Sequence, residues 1–257
     1  MDTGQDLERA VVVLNPSESK RIIARAVAQL PEVKRALGEG RIIIGNGTTN
    51  AYVAEELVGR VVPKWRYAAG VVAGGRLDVT EGGTRLAPIA LKRGEAFEGG
   101  WVELLGEFGR GDVFIKGGNA VDPEGNVGVL LASDVGGTVG QMIGTVSARG
   151  AHLVAPIGLE KLIADVPEAA RHCGGIAGLD HADGIPVGMA VLSNARVVTE
   201  LEGFEVLFGV AAWHVASGGV AGSEGAVTIA LEGPAGAVRE AVRLTESLEE
   251  EAPVTRG

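Results

Sequence analysis

Apolar positions follow two periods along this chain. Residues 11–14 form a short apolar run, read either as a strand or as a staple ahead of a helix. Pro16-Ser17-Glu18-Ser19 supplies helix-start chemistry, and Ile22, Ile23, Ala26, Val27 and Leu30 then recur at helical spacing with charged residues between them. Pro31 and Gly38-Glu39-Gly40 close that region. Residues 41–44 read as a buried β-branched strand, residues 45–50 as a polar loop, and the stretch to Leu57 as a helix. Further strands are predicted at 66–72, 112–116 and 152–157, with a helix over 137–149. Gly74-Gly75 marks a turn, while 78–83 and 86–91 are ambiguous.

Strands that alternate with helices predict an α/β fold, a Rossmann-like, mainly parallel sheet with flanking helices. From about Pro186 the order changes. Strand candidates lie at 187–192, 213–217 and 226–231, with helices over 197–208 and 234–248. We therefore divide the chain into an α/β phosphate-ligand-binding domain (1–185), a small C-terminal α+β unit (186–250) and a flexible tail (251–257).

Composition narrows the function classes. Hydrophobic residues make up 46% of the chain but aromatics only 4%, so the core must be built from aliphatic side chains. The 41 glycines are dispersed among strand-like runs and point to tight turns and close backbone packing. A net charge of −10 argues against nucleic acid and anionic membranes as partners, because phosphate neutralisation needs clustered Lys and Arg. The single Cys173 allows no internal disulfide, the start Met1-Asp2-Thr3-Gly4-Gln5-Asp6 lacks signal-peptide regions, and no apolar run is long enough to span a bilayer. These features give a cytoplasmic expectation. A homo-oligomer is left open.

Two loops carry candidate chemistry. In the first, Gly45, Asn46, Gly47, Thr48, Thr49 and Asn50 join a strand to a helix, an order that aims backbone N–H groups and a helix N-terminus at an anion. Gly45 and Gly47 would let the backbone take positive φ and approach a ligand closely, and an ordinary glycine-rich turn is the alternative. In the second, Lys116 stands at a strand end before Gly117, Gly118 and Asn119, with Asp122 and Glu124 beyond. There a cation can hold an anionic group while a carboxylate moves a proton; an Asp-Pro-Glu-Gly turn is the plainer reading of Asp122.

Other positions carry paired readings. The Gly136, Gly140, Gly144 spacing indicates either close helix packing or ligand approach, with Thr138 and Thr145 nearby. Lys161 either enters the same cleft or forms a surface pair with Glu160. His172, Cys173, Asp180, His181 and Asp183 match no familiar zinc spacing and read equally as a polar loop, so neither a metal nor a cofactor is expected. His214 reads as a packed or surface residue.

Residues 42–57 resemble the phosphate-site element of ribose-5-phosphate isomerases, glucosamine-6-phosphate deaminases and the sugar-phosphate-sensing domains of bacterial repressors. Asp-Val-Phe-Ile-Lys-Gly-Gly-Asn-Ala-Val-Asp-Pro-Glu-Gly-Asn-Val-Gly (112–128) is similar to a central element of the same superfamily, whose fold CoA transferases share. The segment nearest to the isomerases' acidic motif, Asp78-Val79-Thr80-Glu81-Gly82, departs from their pattern. The resemblance implies a phosphate-bearing small molecule as partner and an isomerase-like reaction. Residues 45–50, 117–119 and Thr145 would bind, Lys116 would stabilise an enolate, and Asp122 or Glu81 would move the proton. A ligand sensor or assembly protein, or an acyl-CoA transferase or hydrolase with Glu81 as nucleophile, are the alternatives.

Overall fold

A computed structural model describes residues 6–256. Residues 1–5, on which most of the N-terminal reading rests, lie outside the described residues. Strand β1 (Leu7–Leu14) is followed by helices α1 (Pro16–Gln29) and α2 (Pro31–Glu39). Strand β2 (Arg41–Ile44) leads into α3 (Thr48–Val58) and the short α4 (Lys64–Tyr67). A hairpin of β3 (Gly70–Ala73) and β4 (Arg76–Val79) precedes β5 (Ile89–Lys92), β6 (Glu95–Ala96) and α5 (Trp101–Gly106). Then come β7 (Val113–Ile115), β8 (Ala120–Val121), β9 (Val127–Leu131), α6 (Gly137–Arg149) and β10 (His152–Pro156). A 3₁₀ turn (Leu159–Lys161) and α7 (Val166–His172) lead to β11 (Gly188–Leu192), β12 (Arg196–Val198) and α8 (Glu200–Phe208). Strands β13 (Ala211–Ser217) and β14 (Val227–Pro234) and helix α9 (Ala235–Ser247) follow.

The fold is α/β around a six-stranded, mostly parallel sheet in the order β12-β10-β7-β2-β5-β6. The first four strands are parallel; β5 pairs antiparallel with β2, and β6 antiparallel with β5. Alternation along the strands supplies two cores. Ile42, Ile44, Val113, Ile115, Val154 and Val198 point into a cluster with α1, α2 and α3, through Ile23, Val27, Val33 and Tyr52. Ile43, Phe114, Leu153 and Ala155 point the other way, onto Leu104, Leu105 and Phe108 around α5 and onto Met142 and Val146 of α6. Helices thus cover both faces. A second sheet, ordered β1-β14-β13, buries Val12, Leu14, Ile229 and Leu231 with Phe204 and Val238 of α8 and α9. The chain's first strand and last two strands therefore share one sheet.

Several elements differ from the sequence expectations. Residues 64–67 coil into α4 where a strand is predicted from 66, because Tyr67 turns inward. Its hydroxyl donates to Ile44 O at 2.6 Å and accepts from Ile89 N at 3.0 Å. Pro31 opens a helix at its first position, where a proline N–H is not needed, and does not end the helical region. Residues 196–198 are a strand beside β10; α8 starts at Glu200, where Thr199 and Glu202 form a capping box.

Residues 251–256 carry no helix or strand, yet they lie along the body. Glu251 accepts from Arg21, Ala252 O from the Tyr52 hydroxyl, and Val254 packs on the core. Among the described residues no helix is long and apolar enough to cross a membrane.

Phe114 anchors the central strand, meeting Trp101 and Phe108 edge-on with ring centroids 6.2 and 6.4 Å away. Truncation there removes dispersion contacts from both neighbours. Phe114→Ala is expected to cost about 3–5 kcal/mol, read from the urea midpoint at an unchanged m-value.

Candidate functional site

Parallel pairing puts four strand ends on one edge of the sheet. After β2 the chain passes through Gly45, Asn46 and Gly47 into α3. After β7 it continues into Lys116, Gly117, Gly118 and Asn119; after β10 it reaches the turn bearing Lys161. A cleft of about 660 Å³ opens there, lined by residues 46–50, 116–119, 136–139 and Lys161, and walled by the β3–β4 hairpin.

The first loop is pinned from beneath. Asn46 Nδ2 donates to Tyr67 O (3.1 Å) and Leu86 O (2.9 Å), and Asn50 Nδ2 donates to Gly45 O at 2.7 Å. The first intrahelical bond of α3 runs from Ala51 N to Gly47 O, so the N–H groups of Thr48, Thr49 and Asn50 have no intrahelical acceptor. Thr49 Oγ1 and Asn50 Oδ1 are buried without partners. Of the two glycines only Gly47 takes positive φ. Gly45 is needed for space, since a Cβ there would lie 3.1 Å from Lys116 Cδ and 3.3 Å from Ile115 O.

Two lysines converge on the next loop. Lys116 Nζ donates to Gly117 O at 3.2 Å and Lys161 Nζ to Gly118 O at 3.1 Å. Consecutive carbonyls hold both cations, and among the described residues neither lysine forms an ion pair. The bland reading of Lys161, a pair with Glu160, does not occur, because Glu160 bonds Lys20 at 3.0 Å. Gly117 and Gly118 admit no side chain: a Cβ would stand 2.9 Å from Pro156 O in one case and 2.3 Å from Val127 Cγ1 in the other. Burial lowers Lys116 to about 8, and the charge of Lys161 adds to the shift. Lys161 is lowered too, chiefly by burial, with Glu160 opposing.

A second helix start faces the same space. Gly136 and Gly137 take left-handed φ of 72° and 54°, and α6 begins there. The glycine spacing along this helix has a local cause, since a Cβ on Gly140 would lie 1.9 Å from Val135 O, whereas Gly144 has open space. Thr138 lines the cleft; Thr145, two turns on, does not.

Asp122 and Glu81 are not brought to the cleft. Asp122 is buried in its turn. Its Oδ1 accepts from Asn126 N at 2.8 Å, and its Oδ2 accepts from Val166 N and Asn126 Nδ2, both at 3.0 Å. Glu81 is exposed, its carbonyl closing a turn to Thr84 and Arg85. Arg85, Asp78, Trp101 and Gln141 do line the cleft. Of these, only Asp78 lies in a segment singled out from sequence, and no local signal marks Arg85 or Trp101. The balance of lining charge is cationic, Lys116, Lys161 and Arg85 against Asp78.

Among the described residues no group of three or more His, Cys, Asp or Glu is placed to hold a metal ion. His172 contacts Glu168, His181 contacts Asp183, and Cys173 faces Val187 O. His214 bonds Ser217 at 2.7 Å. No family model, curated protein or solved structure matches this chain.

Asp122 is held below the usual carboxylate range: burial raises it, but hydrogen bonds from Val166 and Asn126 outweigh burial. A lowered folded pKa gives stability that is complete above about pH 4 and lost as pH falls through the folded value. Asp122→Asn is expected to lower stability by about 1–3 kcal/mol at pH 7, with the deficit shrinking in acid. Urea titrations from neutral pH to pH 2–3 measure it.

Proposed function

We propose that the chain binds a small phosphate-bearing metabolite in this cleft. The observation that carries the reading is the pair of lysines held by the carbonyls of Gly117 and Gly118, without a carboxylate partner, beside the N-terminus of α3. The anion would lie between Lys116 and Lys161 and take hydrogen bonds from the free N–H groups of Thr48, Thr49 and Asn50. The N-terminus of α6 and Arg85 would meet a second polar group. The Rossmann-like arrangement is part of this proposal, since ligands of such sheets sit where these loops do.

A carboxylate-driven isomerisation has less support than binding itself, because the carboxylate of Asp122 is spent on its own turn. A second reading, in which the cleft turns its ligand over, is favoured by one observation. Lys116 titrates near 8, so it can release and accept a proton close to neutral pH. Turnover by the wild-type chain separates the two readings; where it occurs, Lys116→Arg keeps the cation and so should retain binding while abolishing turnover.

Calorimetry with inorganic phosphate and with sugar phosphates at pH 7 tests the binding reading. Lys116→Met and Lys161→Met are each expected to weaken affinity roughly ten- to hundredfold, the loss of one charged hydrogen bond. If no phosphate compound binds the wild-type chain, the reading is wrong.

A pH series adds an independent check. Lys116 loses its charge as pH rises through about 8, while phosphate stays dianionic. Affinity is therefore expected to fall between pH 8 and 10, and Lys116→Met should flatten that fall. A rising or level wild-type profile contradicts the assignment.

A further inference from the structure

The outer face of the β1-β14-β13 sheet carries several exposed large apolar side chains that the fold leaves uncovered. Alternation sends Val12, Leu14, Ile229 and Leu231 inward, so the other face should be polar. It is not. Leu7 (65% exposed), Val11 (66%), Val13 (58%), Trp213 (50%) and Val215 (55%) all stand on it. The strand register arranges the face in rows: Leu7 beside Pro234; Arg9 beside Glu232 and Ala211; Val11 beside Ala230 and Trp213; Val13 beside Thr228. Other exposed large apolar residues lie elsewhere, such as Val102 on α5 and Val61 and Val135 in connecting segments. A contiguous patch of this kind marks an interaction surface.

We propose that this face binds a second copy of the same chain across a two-fold axis. A two-fold contact must be self-complementary, with one patch supplying both halves of each interaction. Charge meets that requirement. The face carries one cation and one anion, Arg9 and Glu232, which bond to each other within the chain and can exchange partners across the axis. Shape meets it as well. Trp213 forms one wall of a shallow dent of about 300 Å³, whose other walls include Arg9, Val11, Ala230 and Glu232. Across a two-fold axis the two tryptophans would meet over their paired dents, and buried aromatic anchors dominate the energetics of such contacts.

Charge also selects among occupants. The chain as a whole carries −10, whereas this face is neutral. It has neither the cations for a polyanion nor the acidic excess for a basic protein, and it matches a surface of its own composition. Three strands about 4.8 Å apart and seven or eight residues long span roughly 15 by 25 Å. That extent falls below a standard-sized interface and fits a weak, transient contact, so the dimer dissociates on dilution.

Light scattering and sedimentation equilibrium on the full chain, from nanomolar to high micromolar concentration, test this. The wild-type mass should rise from 26.2 kDa to twice that value. Trp213→Glu and Val11→Glu should stay at the single-chain mass throughout, with unchanged circular dichroism and thermal midpoint, since both positions face solvent in the monomer. Arg9→Glu and Glu232→Arg should each weaken self-association at least tenfold, and an equimolar mixture of the two should form a heterodimer detectable by native mass spectrometry. This mixing readout holds even if the tryptophan variant folds poorly, because an Arg9–Glu232 bond confined within one chain cannot be rescued in trans. A wild-type chain that remains monomeric at every concentration overturns the proposal. So does a dimer indifferent to both Trp213→Glu and the charge variants.

Discussion

Parallel pairing of β2, β7, β10 and β12 is the constraint from which the cleft follows. In an antiparallel sheet successive strand ends alternate between two edges; here four carboxyl ends share one edge. Each hands the chain to a short segment with its own chemistry: the α3 start, the Lys116 loop, the turn with Lys161, and the α8 start at Glu200. The strands are only three to five residues long, so these segments begin directly above the buried apolar layer. Lys116 is the residue immediately after Ile115, which is fully buried. The sheet core and the site are thus consecutive layers of one construction, and the packing of Phe114 fixes the height at which Lys116 emerges.

Local signals made part of this legible in the sequence. The strand, loop and helix order at 41–58 and the helix at 137–149 are bounded by glycines and filled with apolar residues at one clear period, so their chemistry is contained within each stretch. The three-residue β12 offers too few positions for any period, and its identity comes from β10 beside it. The capping box at Thr199 and Glu202 was a readable signal for the true start of α8. At the site, the two glycine-rich loops were visible because their function is local. The fate of Asp122 was not. Its turn and its availability for chemistry use the same residues, and what decides between them is the N–H of Val166, 44 residues away.

An acidic chain with a cationic cleft presents no contradiction. Charges beyond about 8 Å are largely screened at physiological ionic strength, so the balance at the cleft counts for more than the total. Much of the acidic excess is also paired inside the fold. Arg21 alone engages Glu55, Glu56 and Glu251, and Glu55 holds Lys64 as well. Lys116 and Lys161 are bound instead by backbone carbonyls, which orient an ammonium group without neutralising it. That difference in partner leaves their charge available to a ligand.

The buried groups beneath Lys161 act in the same direction. Lys20 bonds one oxygen of Glu160, and the other oxygen is buried with no partner. Glu200 receives Leu159 N on both its oxygens, and both carboxylates crowd the position a Cβ on Gly158 would take. Two carboxylates so close in a buried setting do not both ionise readily. Burial, and then the charge of Glu160, push Glu200 up to about 7. Glu200 is therefore only part-ionised at neutral pH and offsets the charge of Lys161 less than a full carboxylate would. Lys161 reaches the carbonyl of Gly118 from this cluster, so the partial ionisation of Glu200 bears directly on the charge at the floor of the cleft.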